Sequence, residues 1–133
     1  LGKHHYGLRG EILGISVDEP DSILQPRIGE LAGETARLLG DQLDIKIDQI
    51  HVNSDYLGAG YAQMGESELE AIRVFARYEG ILLDPVYTGR AAAGLIDLIR
   101  KGFFRQQDKV LFWHTGGMPA LFTDRYRDLL NQV

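Results

Sequence analysis

Asp84-Pro85-Val86-Tyr87-Thr88-Gly89 sets a phenol and a hydroxyl between a proline turn and a glycine. Proline halts an extended run, and a helix opening beyond it offers free backbone N–H groups to electron-rich atoms. The stretch has the make-up of a ligand site, although a core tyrosine beside a plain threonine helix cap also accounts for it. His114-Thr115-Gly116-Gly117 is a second candidate, because paired glycines let a backbone approach a ligand closely or fold into an anion nest. An ordinary turn after a strand explains those glycines too, and His114 reads as a core or rim histidine, so no metal site is expected. Gly58-Ala59-Gly60-Tyr61 forms a third, a loop or hinge edged by Tyr56 and Tyr61. A phenol titrates at about 10, so a catalytic tyrosine needs a neighbouring cation or an electron-poor cofactor to work at neutral pH. His4 and His5 are adjacent, which is not a chelating helical spacing. Gly-x-Ser-x-Gly, P-loop and Gly-x-Gly-x-x-Gly motifs are absent, which removes the commonest hydrolase, NTPase and dinucleotide readings.

These stretches need elements to hold them. Residues 11–17 are short, apolar and β-branched and run into the turn formers of residues 18–22, which predicts a buried strand. Apolar positions Ile28, Leu31, Ala32, Thr35, Leu38 and Leu39 recur at helical spacing before Gly40, predicting an amphipathic helix. Ile45 and Ile47 alternate out of phase with Ile50 and Val52, as in one irregular strand with a bulge or break. Ser67-Glu68-Leu69-Glu70 has capping-box spacing and opens a helix closed by Gly80. Residues 81–83 read as a strand, residues 88–100 as a helix capped by Thr88 and stopped by Gly102, residues 109–114 as a last strand, and residues 124–130 as a closing helix. Alternation of this kind predicts an α/β fold with a mainly parallel sheet and helices on both faces, in a single unit over residues 1–133. Ligands of open parallel sheets gather beyond the carboxyl ends of strands, which marks Asp18, residues 55–61, residues 84–89 and residues 114–117.

With 44% hydrophobic and 25% charged residues the chain has the composition of a soluble globular domain. A formal charge of -5 argues against a nucleic-acid partner, which would call for clustered Lys and Arg. The lack of cysteine excludes disulfides and Cys-based zinc and fits a cytoplasmic location. No apolar run is long enough for a membrane span, and the opening Leu1-Gly2-Lys3 has neither a methionine nor a signal-peptide core, which suggests truncation.

Residues 79–96, EGILLDPVYTGRAAAGLI, followed by residues 110–122, VLFWHTGGMPALF, closely resemble the C-terminal region of D-cysteine desulfhydrases. That family also contains the 1-aminocyclopropane-1-carboxylate deaminases, and a looser likeness runs from Ile12 through the segment around Glu34 to Leu39. The resemblance implies a pyridoxal-phosphate enzyme of tryptophan-synthase-β-like fold, acting on a small amino acid as a cytoplasmic homo-oligomer. It implies that the chain is the C-terminal fragment of a larger protein. The Schiff-base lysine, a substrate-facing serine and the phosphate loop of the family all lie upstream of the matched part, and Lys3, Lys46, Lys101 and Lys109 match no family lysine motif. The chain alone is accordingly expected to be inactive, and self-association through exposed apolar surface is expected of such a fragment.

Matched position by position, the resemblance implies that Tyr61 and Tyr87 face substrate and cofactor, while Thr88, Thr115 and Gly116 contact pyridoxal phosphate. A neutral threonine beside the pyridine nitrogen, in place of a carboxylate, alters which bonds the cofactor labilises. The deaminase branch typically carries Glu and Leu where this chain has Thr88 and Thr115, which favours D-cysteine desulfhydrase, releasing pyruvate, hydrogen sulfide and ammonia. The alternatives are the cyclopropane deaminase and a noncatalytic module binding a small anion or a protein. Two departures stand out: Tyr61-Ala62-Gln63-Met64 replaces the usual Tyr-Gly-x-Pro, and Arg90 replaces the usual lysine, keeping charge but not geometry.

Overall fold

The computed structural model describes residues 1–43 and 45–130. A short helix α1 (Gly2–His5) leads to β1 (Leu13–Ile15), which pairs in parallel with β2 (His51–Asn53) in the register Leu13 to His51, Gly14 to Val52 and Ile15 to Asn53. Between them runs α2 (Asp21–Leu38), the crossover that a parallel pair requires. Helices α3 (Glu66–Glu79) and α4 (Thr88–Arg100) follow, then two 3-10 turns (Met118–Phe122 and Asp124–Tyr126) and α5 (Arg127–Leu130). Among the described residues no helix is long and apolar enough to cross a membrane.

The expected α/β class holds, with a smaller sheet than the alternation predicted. Residues 81–83 and 109–114, read from sequence as strands, belong to no ladder among the described residues. Apolar β-branched character suits a strand, but a ladder forms only where a neighbour supplies the matching N–H and C=O groups. The expected break before β2 is a 3-10 turn (Ile47–Gln49), which resets the phase between Ile47 and Ile50.

The core lies around α3 and α4. Ala71, Ile72, Leu83, Ala92 and Ala93 form one buried cluster, and Leu69, Val86, Leu121 and Tyr126 form another. Small residues let α4 come close to its neighbours: a methyl group at Gly94 would stand 3.1 Å from Tyr56 Cδ2 and 3.3 Å from Ile15 Cδ1. Helix α2 differs from expectation at its start and on its face, and it ends before Gly40 as expected. It begins at Asp21, within the predicted turn, and carries Pro26 inside, where the missing N–H costs one hydrogen bond. Its stripe is not buried, since Ile28, Leu31, Leu38 and Leu39 are exposed and only Ala36 is fully covered. Periodicity specifies a face, whereas burial requires a second layer against it.

Two caps were misplaced by two to four residues in the sequence reading. Glu68, not Glu70, closes the capping interaction of α3, its Oε2 accepting from the Gly65 N–H at 2.9 Å. Glu70 instead pairs with Arg100. Thr88 does not cap α4; the Asp84 carboxylate does so from outside the helix.

Candidate active site

Asp84 is fully buried and organises the α4 entry. Its Oδ2 accepts the N–H groups of Val86 and Tyr87, each at 2.7 Å, and its Oδ1 accepts the Thr88 N–H at 2.6 Å. The Thr88 hydroxyl donates to Asp84 Oδ1 at 2.6 Å and accepts from the Asp84 N–H at 2.8 Å. Three donors that a helix start would leave open are thereby satisfied by a single carboxylate. Pro85 and the close approach at Gly89, where a methyl group would stand 2.5 Å from the Asp84 carbonyl oxygen, fix the turn that makes this possible.

The second motif packs directly on this carboxylate. Gly117 sits at φ 92, with room for no side chain against Asp84. His114 bonds backward and forward, its Nε2 with the Leu82 carbonyl at 3.2 Å and its Nδ1 with the Gly116 N–H at 3.1 Å. With a carbonyl on one nitrogen and an N–H on the other, the tautomer is set: Nε2 carries the proton and Nδ1 accepts. This histidine is a brace between the two motifs.

Tyr61 and Tyr87 meet through their hydroxyl groups, with ring centroids 6.0 Å apart in an edge-on arrangement. Both rings remain about half exposed. The hydrogen bond to Tyr61 raises the Tyr87 phenol above its ordinary value, and burial and the carboxylates of Asp84 and Asp18 push it the same way. Tyr87 is therefore a neutral phenol at physiological pH. One O–H is spent within the pair, and the other remains to donate to an acceptor such as a substrate carboxylate.

Of the five residues singled out from sequence, Tyr61, Tyr87 and Thr115 are exposed and Gly116 is half-buried, whereas Thr88 is 1% exposed, with its hydroxyl turned to Asp84. Thr88 thus lies beneath the rim rather than on it. The segments marked by sheet topology do converge: Asp18 and Asp84 act on Tyr87, and Gly117 abuts Asp84. Gly116, at φ 100, faces open space where a side chain would stand, and the neighbouring Thr115 is exposed, so this turn offers the hydroxyl and open backbone that pyridoxal phosphate would need. A cleft of about 240 Å³ lies between Ala62–Met64 and Tyr126, next along the chain from Tyr61, and one of about 290 Å³ lies around Tyr56 and Asp97. Among the described residues no group of three or more His, Asp or Glu is placed to hold a metal.

Sequence reasoning noted Arg90 only as a departure and missed its role. Its guanidinium is 1% exposed and donates to Glu68 Oε1 at 2.8 Å and to the carbonyls of Val17, Gly60 and Gln63 at 2.7, 3.1 and 2.7 Å. Only the coincidence of an arginine in a run of small residues, RAAAG, hints that the position faces inward. Ala62, noted from sequence only as a departure, holds φ 56, a left-handed conformation that is strained for an L-residue and open to glycine. The Ala62 carbonyl is gripped by Arg125 Nη2 and the Tyr126 hydroxyl, both at 2.8 Å.

No family model matches the chain. It is 38% identical over 115 residues to the 1-aminocyclopropane-1-carboxylate deaminase of Methylobacterium nodulans, a match covering 86% of this chain and 34% of that protein. Its structure matches a crystal structure described as an ACC deaminase homologue with a TM-score of 0.80 at 34% identity, covering 99% of this chain and 38% of the other. The chain spans little more than a third of the length of either relative. Identity at this level, joined to a shared fold along nearly the whole chain, makes this chain similar in sequence and structure to about a third of a 1-aminocyclopropane-1-carboxylate deaminase and of a deaminase homologue.

Proposed function

We propose that this chain is one α/β unit of a larger pyridoxal-phosphate enzyme and forms one wall of its active site, acting on a small amino acid. The observation that supports it most is the meeting of two separated motifs on Asp84, whose carboxylate accepts the N–H of Tyr87, partner of Tyr61, and abuts Gly117 of the His114–Gly117 turn. Bound pyridoxal phosphate would serve as an electron sink for the bond broken at the substrate. Tyr61 and Tyr87 would orient the substrate and hold a proton near it, Thr115 and Gly116 would line the cofactor, and Thr88 would act through Asp84.

The names of both relatives favour opening of a cyclopropane amino acid as the reaction. Thr88 and Thr115 support the second reading, elimination of thiol from D-cysteine. The intact protein, loaded with pyridoxal phosphate and given each amino acid in turn, separates them: ammonia from 1-aminocyclopropane-1-carboxylate supports the first, and hydrogen sulfide from D-cysteine the second. Turnover of neither would overturn both.

The lysines of this chain are poor candidates for cofactor attachment. Lys101 donates to Asp97 at 2.6 Å, which raises its pKa and keeps it a protonated ammonium, the reverse of what a nucleophilic amine needs. Borohydride treatment of the chain with pyridoxal phosphate is expected to leave no specific adduct on Lys3, Lys46, Lys101 or Lys109. A stoichiometric adduct on one of them would contradict an attachment site elsewhere in the protein.

A further inference from the structure

We infer that Arg90 is a positioning residue for the tyrosine pair, its guanidinium clamping the backbone on both sides of Tyr61 so that the Tyr61 hydroxyl is delivered to that of Tyr87. The inference rests on the proposed role of these tyrosines but is built from different contacts. Tyr61 stands in a glycine-rich loop, and its ring is exposed, so side-chain packing does little to fix it. The backbone is fixed instead. Arg90 takes the carbonyl of Gly60 just before Tyr61 and that of Gln63 just after, at 3.1 and 2.7 Å, while Tyr126 and Arg125 take the intervening Ala62 carbonyl.

Arg90 itself cannot wander. Glu68 holds its Nε at 2.8 Å, and the Val17 carbonyl, beyond the end of β1, shares its Nη1 at 2.7 Å. The guanidinium belongs to α4, whose first turn follows directly on Tyr87, so one rigid fork references both phenols to the same helix. A planar group with five donors in fixed directions can satisfy one carboxylate and three carbonyls together. A lysine ammonium has three donors on a single atom at the end of a flexible stem and cannot reach all four. Gly58 fits the same picture: a methyl group there would come within 3.4 Å of Arg90 Nη2.

The test is a tyrosine titration of the intact protein, with ring-carbon NMR signals assigned from Tyr61→Phe and Tyr87→Phe. Tyr87 should titrate above the ordinary phenol range in the natural protein, and Tyr61→Phe should bring it down. Arg90→Lys should do the same, while Leu98→Ala, a core change of similar destabilising size, should not. On the amino acid that the protein turns over, Arg90→Lys should lower kcat/KM by about tenfold to hundredfold, the usual result of a small misplacement of reacting groups. A folded Arg90→Lys protein whose Tyr87 still titrates high overturns the clamp, whatever its activity. A lowered titration with undiminished activity keeps the clamp and removes the tyrosines from the reaction. Should Arg90→Lys fail to fold, Glu68→Ala decides: it releases the guanidinium from the carboxylate that holds it, so Tyr87 should fall toward the ordinary range, and a Tyr87 that still titrates high would overturn the clamp.

Discussion

The Cα of Gly117 lies so close to the Asp84 carboxylate that a methyl group there would stand 2.6 Å from Asp84 Cγ and 2.8 Å from Oδ1. Gly117→Ala must therefore displace the carboxylate or the turn, on top of the strain of φ 92 for an L-residue. A loss of about 2–4 kcal/mol is expected by urea unfolding. Gly116→Ala meets nothing within 4 Å and carries only the conformational penalty at φ 100, so it should cost about 1 kcal/mol. Equal losses at the two positions would contradict the contact.

Asp84→Ala removes the acceptor of three backbone N–H groups and of the Thr88 hydroxyl in a buried place. Donors stranded without water cost about 1–3 kcal/mol each, so the variant should lose about 3 kcal/mol or more. Asp84→Asn keeps one acceptor oxygen and should fall between the two proteins in thermal melting.

Glu68 links the folded state to pH. Burial pushes its carboxyl up, but the Arg90 guanidinium, together with the Gly65 N–H and the Ser67 hydroxyl, outweighs this and leaves it below the ordinary value. A carboxyl depressed on folding adds stability above its unfolded value of about 4.3, and that stability drains away as pH falls through the folded value. Glu68→Gln should cost roughly 3 kcal/mol at neutral pH by leaving Arg90 without its counter-charge. The difference from the natural protein should shrink below about pH 4 in denaturant titrations, where the unfolded chain no longer ionises the residue.

Tyr56 should be among the last of the tyrosines to ionise. Burial and donation to Asp97 at 2.6 Å push its phenol up to about 12. A phenol raised on folding contributes stability that is complete below its unfolded value of about 10 and is lost as pH rises through the folded value. Tyr56→Phe should remove the late step from an alkaline absorbance titration. Its cost in stability, about 1–2 kcal/mol at neutral pH, should diminish at the alkaline end.

Local chemistry was legible in the sequence where it acts over a few residues. The helix over residues 88–100, its glycine stop, the turn at Asp84-Pro85 and the phase break before β2 follow from neighbours in the chain, and the structure has them. What depends on distant partners was not. Residues 109–114 have strand composition without a ladder, and the stripe of α2 has helical spacing without a second layer. Thr88 looked like a cap from its place at a helix start, but the fully buried Asp84, four residues earlier, does the capping. Arg90 was read only as a change from lysine, because none of its four partners is near it in sequence.

Those separations bear on how the chain folds. The bonds of Arg90 close loops of 73, 30, 27 and 22 residues, so each demands that distant segments already be in place. Helices α3 and α4 can dock early through nearby sequence, whereas desolvating the guanidinium before its carbonyls arrive would leave a bare charge in the interior. The clamp is thus a late act of assembly, and a chain halted before it would keep its helices while the tyrosine loop swung free.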